Sequence, residues 1–447
     1  MTPWRRLRSA ALPSQTLTAL KMLSFAIDAN SGGARTGVLS FPSRGLTLPT
    51  PALLVYTRKG LPLNLMPDLL DELKDDGVTT LQLNTMHFIE GPSADTVRKA
   101  GGAHNFLGVQ DYILLALGRD AMNFEGGGPA SATYASFDTP SGRRQVTPEA
   151  YADIIDALRP DIFVPLADDI PSTSGRKRVK QSVDRSLSWL DECIERNKQG
   201  IPIFGSVQGG SNLYERPRSA EETAVRDVAG FHLGGFGLGE SFDERPTLLA
   251  AAIDKLPPSK PRHVSGLSVP EEILQGVAAG VDLFDSAYPL SLTLAGLAMT
   301  FPVSHESPEV GSADGIGSSG ATEGEGPALG ADCSKLNLLS LALREDPRPL
   351  LPGCQCYTCR NHTRAYLHHL LNAHEMLAQV LLEIHNTHHY TRFFRAIRQS
   401  IIEDRFDRFR QAFVDRCRTT QIDVKPMAPK PSGRTSRIDG VHELEKC

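Results

Sequence analysis

The sequence has no run approaching the ~20 consecutive apolar residues of a membrane span, so nothing in it reads as a transmembrane helix. It has no excess of positive charge either: 47 lysines and arginines stand against 52 acidic residues, a formal net charge of −5. A global basic field that recruits nucleic acid is excluded, and any such contact must come from local patches. Cysteine is scarce and odd in number, seven in 447 residues and unevenly spaced. That excludes a secreted disulfide framework and points to a reducing, cytoplasmic setting. No GxGxxG follows an early apolar run, which argues against a dinucleotide fold. Acids are missing from the first 27 positions, where Arg5, Arg6, Arg8 and Lys21 are found. Residues 1–21 therefore form a basic leader with two readings, a transit-like segment that implies mitochondrial association or an untidy stretch before a start at Met22.

What is present is a repeat of short apolar runs, most of them followed by helix-like stretches. The runs are LLVYT (53–57), TTLQLNT (79–85), DIFVPLA (161–167), IPIFGSVQ (201–208), GFHLGGFG (230–237), RHVSGL (262–267) and VDLFDS (281–286). Intervening segments such as SVDRSLSWLDECIERNKQG place apolar residues at i, i+3 and i+4 before a glycine stop. Near-continuous apolar strands alternating with helices mean parallel strands buried on both faces. At least seven such units favour an α/β fold of the closed (β/α)8, TIM-type barrel class. The expected organisation is a barrel over 22–303, a disordered Gly/Ser/Glu-rich insertion over 304–331, a metal-binding subdomain with closing helices over 332–420, and a disordered tail over 421–447.

Three of the seven cysteines fall in CQCYTC, at Cys354, Cys356 and Cys359. A structural zinc ion takes four N or S ligands in a tetrahedron, and no fourth cysteine is near. A histidine is the expected closer, and spacing leaves His374, His385, His388 and His389 open. A Cys3His site has no free coordination position, so one structural zinc ion is expected and hydrolytic zinc is not.

In a parallel barrel, chemistry sits where the strands end. Here those ends carry Asp168 and Asp169, Gln208, Gly234–Gly235, and Asp282 with Asp285. A carboxylate, an amide and bare backbone can read the edge of a purine-like base, and a second carboxylate can attack or stabilise a sugar carbon in glycosyl transfer. The chain resembles the tRNA-guanine transglycosylases from about Phe41 to Arg398. The likeness rests on LNTMHF (83–88), FGSVQGG (204–210), LGGFGLGE (233–240), PRHVSGLSVPEEILQGVAAGVDLFD (261–285) and CQCYTCRNHTRAYLHHL (354–370). It implies a barrel with an inserted zinc subdomain. It also implies exchange of guanine for queuine at wobble position 34 of tRNAs with GUN anticodons. A distal histidine motif of the family is matched by IHN (384–386), which selects His385 as the fourth ligand. By the same resemblance Asp168, Gln208 and Gly235 grip the exchanged base, and Asp285 stands at the nucleophile position.

Two departures count against catalysis. Catalytic members carry DSGGFQ after an H-x-F-x-G stretch, and its aspartate is the general acid/base. Here HNFLG (104–108) survives, but reading on without gaps places Ala116 where that aspartate belongs. Losing a positioned proton shuttle slows such a reaction by ~100-fold or more. The P-T-R-N-A-R-x-G stretch after the nucleophile is replaced by YPLSLTLAGLAMTF (288–301). The pattern resembles non-catalytic subunits of the family, which pair with a catalytic homologue as a heterodimer. It implies a catalytic transglycosylase subunit and tRNA as partners, with queuine as a further ligand if the base pocket persists. The competing readings are a self-sufficient transglycosylase using Asp285 and a zinc-stabilised scaffold. GRKRVK (175–180) and the arginine-rich stretch 360–418 are local phosphate-contact candidates, and within the latter HHYTRFFRAIRQ (388–399) reads equally as an amphipathic helix at a subunit interface.

Overall fold

The computed structural model describes residues 23–122, 128, 130–139, 142–303 and 334–419. The leader 1–21, the insertion 304–331 and the tail 421–447 lie outside the described residues. Eight parallel strands form one sheet: Ala52–Tyr56, Thr80–Asn84, Ile113–Leu117, Ile162–Phe163, Phe204–Val207, Gly230–Leu233, Arg262–Val264 and Leu283–Ser286. Each pairs with its neighbour in chain order, and the last pairs with the first through Leu283↔Ala52 and Asp285↔Leu54. A parallel bridge Phe163↔Ile203 joins the fourth strand to the fifth, so the sheet closes into the expected barrel.

Strand alternation sorts the side chains into two layers. Leu54, Ile113, Leu115, Val164, Phe204 and Leu283 fill the barrel. Leu53, Leu83, Leu114, Ala116, Val207 and Phe284 join the layer between the strands and the outer helices. The helices start where the sequence dictates. Thr147 caps Pro148–Leu158 by accepting from the Ala150 amide, and Pro148 occupies the first turn.

Two elements were not anticipated. A three-stranded antiparallel sheet, Ser24–Ser31, Ala34–Phe41 and Leu46–Thr50, packs Leu39, Phe41 and Leu48 against the residues that fill the barrel at its N-terminal end. A hairpin, Ala135–Thr139 with Gly142–Val146, lies before the fourth strand. The helical region after the cysteine cluster resolves into Arg364–Asn372, Met376–Ile402 and Phe406–Thr419. The middle helix has 27 residues and so is about 40 Å long. Its C-terminal half places Tyr390, Phe393, Phe394 and Ile397 in the main core, and Tyr390 and Phe393 meet Phe301 edge to face. The aromatic side chains of the run at 388–399 are therefore committed to closing the barrel. Among the described residues no helix is long and apolar enough to cross a membrane.

Candidate metal centre and barrel mouth

Cys354, Cys356 and Cys359 lie on a tight turn whose last residues open the helix Tyr357–Asn361, and Cys356 caps that helix through the Cys359 amide. The long helix Met376–Ile402 brings His385 over the turn. Its Nδ1 is 3.9, 3.5 and 3.4 Å from the sulfurs of Cys354, Cys356 and Cys359. All four ligand atoms lie within 4.8 Å of one another, every residue is buried, and the group could hold a metal ion. His385 Nε2 sits 2.9 Å from the Met299 carbonyl. That contact makes Nε2 the protonated nitrogen and leaves the Nδ1 lone pair facing the sulfurs. Asn386 fastens the same region: its Oδ1 accepts from the Met299 amide at 2.8 Å and its Nδ2 donates to the Leu297 carbonyl at 3.0 Å. The other histidines left open by spacing are engaged elsewhere. His388 pairs with Asp76 at 2.5 Å, His389 meets the Phe301 carbonyl at 2.9 Å, and His374 is exposed on a turn.

The polar residues at the C-terminal ends of the strands are buried. Asp285, third in its strand, is 1% exposed. Its Oδ2 accepts from Ser265 Oγ at 2.6 Å and from Gln82 Nε2 at 3.3 Å. Burial pushes the Asp285 carboxyl up to about 6, although the Ser265 hydroxyl and the charge of Arg119 act against it. His263 Nε2 lies 3.8 Å from the same carboxylate, and His263 Nδ1 is 3.0 Å from His232 Nδ1. Burial holds both imidazoles well below their usual range, so this buried pair is neutral. Tyr56, Ala121, Ala287 and Leu290 form a separate small apolar cluster. Asp120 ties the rim together, meeting His87 at 3.4 Å, the Met122 amide at 2.9 Å and the Tyr56 hydroxyl.

The structure separates the three residues expected to grip a base. Gln208 and Gly235 are together: a Cβ on Gly235, which has φ +70°, would lie 3.2 Å from Gln208 Oε1. The carboxylate beside them is Asp169, which accepts from Gln208 Nε2 at 3.0 Å and from the Gly235 amide. Asp168 turns instead to the following helix, Arg176–Arg196, where Arg178 holds it with bonds of 2.5 and 2.6 Å and Arg185 adds one at 3.1 Å. The GGFGLG stretch (234–239) is held by side chains of its own surroundings. Glu240 folds back to accept from the Gly237 and Leu238 amides, and Arg216 donates to the Gly234 and Gly235 carbonyls.

Other candidates fall at the opposite end of the barrel or outside it. Asp282 precedes its strand and is ion-paired with Arg35 at the N-terminal face. His104 of HNFLG binds Asp161 at 3.0 Å, and Asp161 also accepts from Arg44 and the Leu114 amide. That surviving motif thus secures strand starts rather than chemistry. Ala116 points into the outer helical layer, and the inward positions of its strand are Leu115 and Leu117.

Residues 28–419 match the family model described as queuine tRNA-ribosyltransferase. The chain belongs to that family. Among its curated relatives is the queuine tRNA-ribosyltransferase accessory subunit 2 of Xenopus tropicalis, 37% identical over 399 residues, covering 85% of this chain and 96% of the relative. The protein of the same name from Gallus gallus is 36% identical over 411 residues, covering 86% and 96%. The one from Homo sapiens is 34% identical over 388 residues, covering 82% and 92%. Within this queuine tRNA-ribosyltransferase fold, sequence reading missed Arg119, the His232–His263 pair and the Tyr56–His87–Asp120 rim. Register signalled only Tyr56, which stands two positions from Leu54, a residue that fills the barrel.

Proposed function

We propose that this chain is the non-catalytic subunit of a heterodimeric queuine tRNA-ribosyltransferase, the enzyme that exchanges guanine for queuine at wobble position 34 of tRNAs with GUN anticodons. The carrying observation is the enclosure of Asp285. A nucleophile for a tRNA ribose must be reached by that ribose, yet this carboxylate is 1% exposed and hydrogen-bonded to Ser265 and Gln82. No carboxylate projects into the barrel from the third strand, where Leu115 and Leu117 face inward. The names of the curated relatives support the same role. Asp169, Gln208 and Gly235 then form a vestigial base cradle, with Asp168 its structural support. The organisation that goes with this reading is a barrel over 22–303 and a zinc-binding unit with closing helices over 332–420, working in the cytoplasm.

The bound metal in this proposal is zinc. With Zn–S near 2.3 Å and Zn–N near 2.05 Å, a tetrahedron requires S···N edges of about 3.6 Å. The three edges here run from 3.4 to 3.9 Å. Three soft thiolates and an imidazole suit this ion, and the closed set leaves it a structural part.

The exchange test is direct. With labelled guanine and substrate tRNA, the purified chain alone turns over at least ~100-fold more slowly than the complex with a catalytic partner. Robust turnover by the lone chain, abolished by Asp285→Asn, overturns the reading.

Contact with tRNA is proposed through Arg176, Lys177 and Lys180. They are exposed in the first two turns of their helix and make no ion pair among the described residues. Cations at a helix N-terminus oppose its dipole, and nearby phosphates relieve that cost. Replacing all three with alanine is expected to flatten the slope of log affinity of the complex against log salt by about 2. An unchanged slope removes these residues from the interface.

A further inference from the structure

We propose that a cavity at the N-terminal end of the barrel is a binding site for a short aliphatic monocarboxylate, with Lys260 as the residue that takes the carboxylate. The site lies at the opposite end of the strands from Gln208, so it goes beyond the role proposed above and does not depend on it.

Place and walls give the first support. The cavity has a volume of about 330 Å³, at the small end of the range that ligand pockets occupy. Ile203, Ala229 and Pro261 line it, each the residue just before its strand. Leu23 and Phe25, where the antiparallel sheet begins, and Ile194, near the end of helix Arg176–Arg196, line it too. Walls of this kind hold ordered water poorly and favour an aliphatic body. They are also fixed in advance. The Asn197 side chain bonds both the amide and the carbonyl of Ile201, at 3.0 and 2.7 Å. Arg35 donates to the Lys260 carbonyl at 3.0 Å, and its guanidinium carbon stands 5.4 Å from the centre of the Phe25 ring. A shape held before the ligand arrives lowers the cost of binding.

Charge gives the second. Lys260 lines the cavity, and its Nζ donates to the carbonyl of Val228, another lining residue, at 2.6 Å. An ammonium carries three N–H donors, and this is the one hydrogen bond that Lys260 Nζ makes among the described residues. It makes no ion pair among them either, although its side chain is half-buried. A half-buried cation without a counter-ion is held at a cost that an entering carboxylate removes. Burial accordingly pushes the Lys260 ammonium below its usual range, and the charge of Asp227 acts against that shift. Asp227 lines the same cavity, so a ligand with one negative charge is matched there and a phosphate dianion is opposed. A single cation on aliphatic walls thus selects a monoanion with an apolar body.

The test is isothermal titration of octanoate into the purified, metal-loaded full chain. Saturable one-to-one binding below the millimolar range is expected. Hexanoate, shorter by two methylenes, is expected to bind about tenfold more weakly. Octanol, which has the chain without the charge, is expected to bind at least about tenfold more weakly than octanoate. Lys260→Met keeps the apolar stem and removes the cation, so it is expected to lose about tenfold in octanoate affinity and nothing in octanol affinity. Lys260→Arg is expected to restore the preference for octanoate. The comparison of octanoate with octanol on wild-type protein needs no variant and stands if Lys260→Met fails to fold. The proposal is overturned by absence of saturable octanoate binding, by equal affinity for octanoate and octanol, or by unchanged octanoate affinity in folded Lys260→Met. Octanoate binding that appears only after deletion of residues 1–22 would make the leader the occupant, and that also overturns it.

Discussion

Chelating the metal, or replacing His385 with alanine, is expected to unfold the subdomain built on Cys354, Cys356 and Cys359 while leaving the barrel strands paired. The reason is how little apolar material holds that unit without the ion. Its buried cluster has ten apolar side chains, eight leucines (Leu336, Leu338, Leu343, Leu350, Leu367, Leu370, Leu381 and Leu382) with Ala298 and Ala378, packed around the three cysteines themselves. Without metal, three thiols and an imidazole are left buried within 4.8 Å of one another with no charge to organise them. The loss is expected to be several kcal/mol, bounded above by the ~10–16 kcal/mol that structural zinc contributes to small domains. Because the ligands must be deprotonated, metal retention should weaken steadily as pH falls. Limited proteolysis should then cut within 335–375, and amide exchange should rise there but not in Ala52–Tyr56 or Leu283–Ser286. A chelated protein with unchanged melting temperature and unchanged protease resistance would remove the metal from the fold's support.

This centre was nearly all legible in the sequence, because a chelate depends on residue type and short spacing, and three of its ligands fall within six positions. The fourth was not settled by spacing, since His385, His388 and His389 share one helix and only tertiary packing decides which faces the sulfurs. The barrel was legible because both faces of a parallel strand are buried, which writes an apolar run into the chain. Its third strand, ILLAL, obeys that rule but directly follows the HNFLG stretch and its short helix, and it escaped the count of apolar runs. The antiparallel sheet at 24–50 was missed for the opposite reason: its first strand, SFAIDANS, is mostly exposed and carries no such run. At the mouth the limit is angular. Asp168 and Asp169 are adjacent in sequence, yet one turns outward to Arg178 and Arg185 and the other inward to Gln208. Motif matching cannot separate neighbours that strand geometry sends in opposite directions.

Arg35→Ala is expected to cost about 3–5 kcal/mol, because it strands a buried carboxylate. Arg35 and Asp282 are 4% and 0% exposed and paired in parallel, Nε to Oδ1 at 2.9 Å and Nη2 to Oδ2 at 2.5 Å. Arg35 also donates to the Pro258 and Lys260 carbonyls, while Asp282 Oδ2 accepts from the Arg262 amide at 2.7 Å. The pair sits at the seam of the barrel, where the Ala52 amide donates to the Asp282 carbonyl and joins the first strand to the last. It therefore ties the N-terminal antiparallel sheet to the closure of the eight strands. Burial pushes the Asp282 carboxyl up, and Arg35 acts against that shift. Removing the guanidinium should raise the carboxyl further. A carboxyl whose folded pKa exceeds its unfolded value binds more protons in the native state, so stability falls as pH rises through that interval. The variant should thus be closest to wild type at acid pH and furthest from it at neutral pH, as urea unfolding at pH 4.5 and 7.5 would show. Asp282→Ala added to Arg35→Ala should recover part of the loss, since it removes the stranded charge. A single-variant loss below about 1 kcal/mol at neutral pH would place the pair among ordinary surface ion pairs, and the seam would have to be held by strand pairing and apolar packing alone.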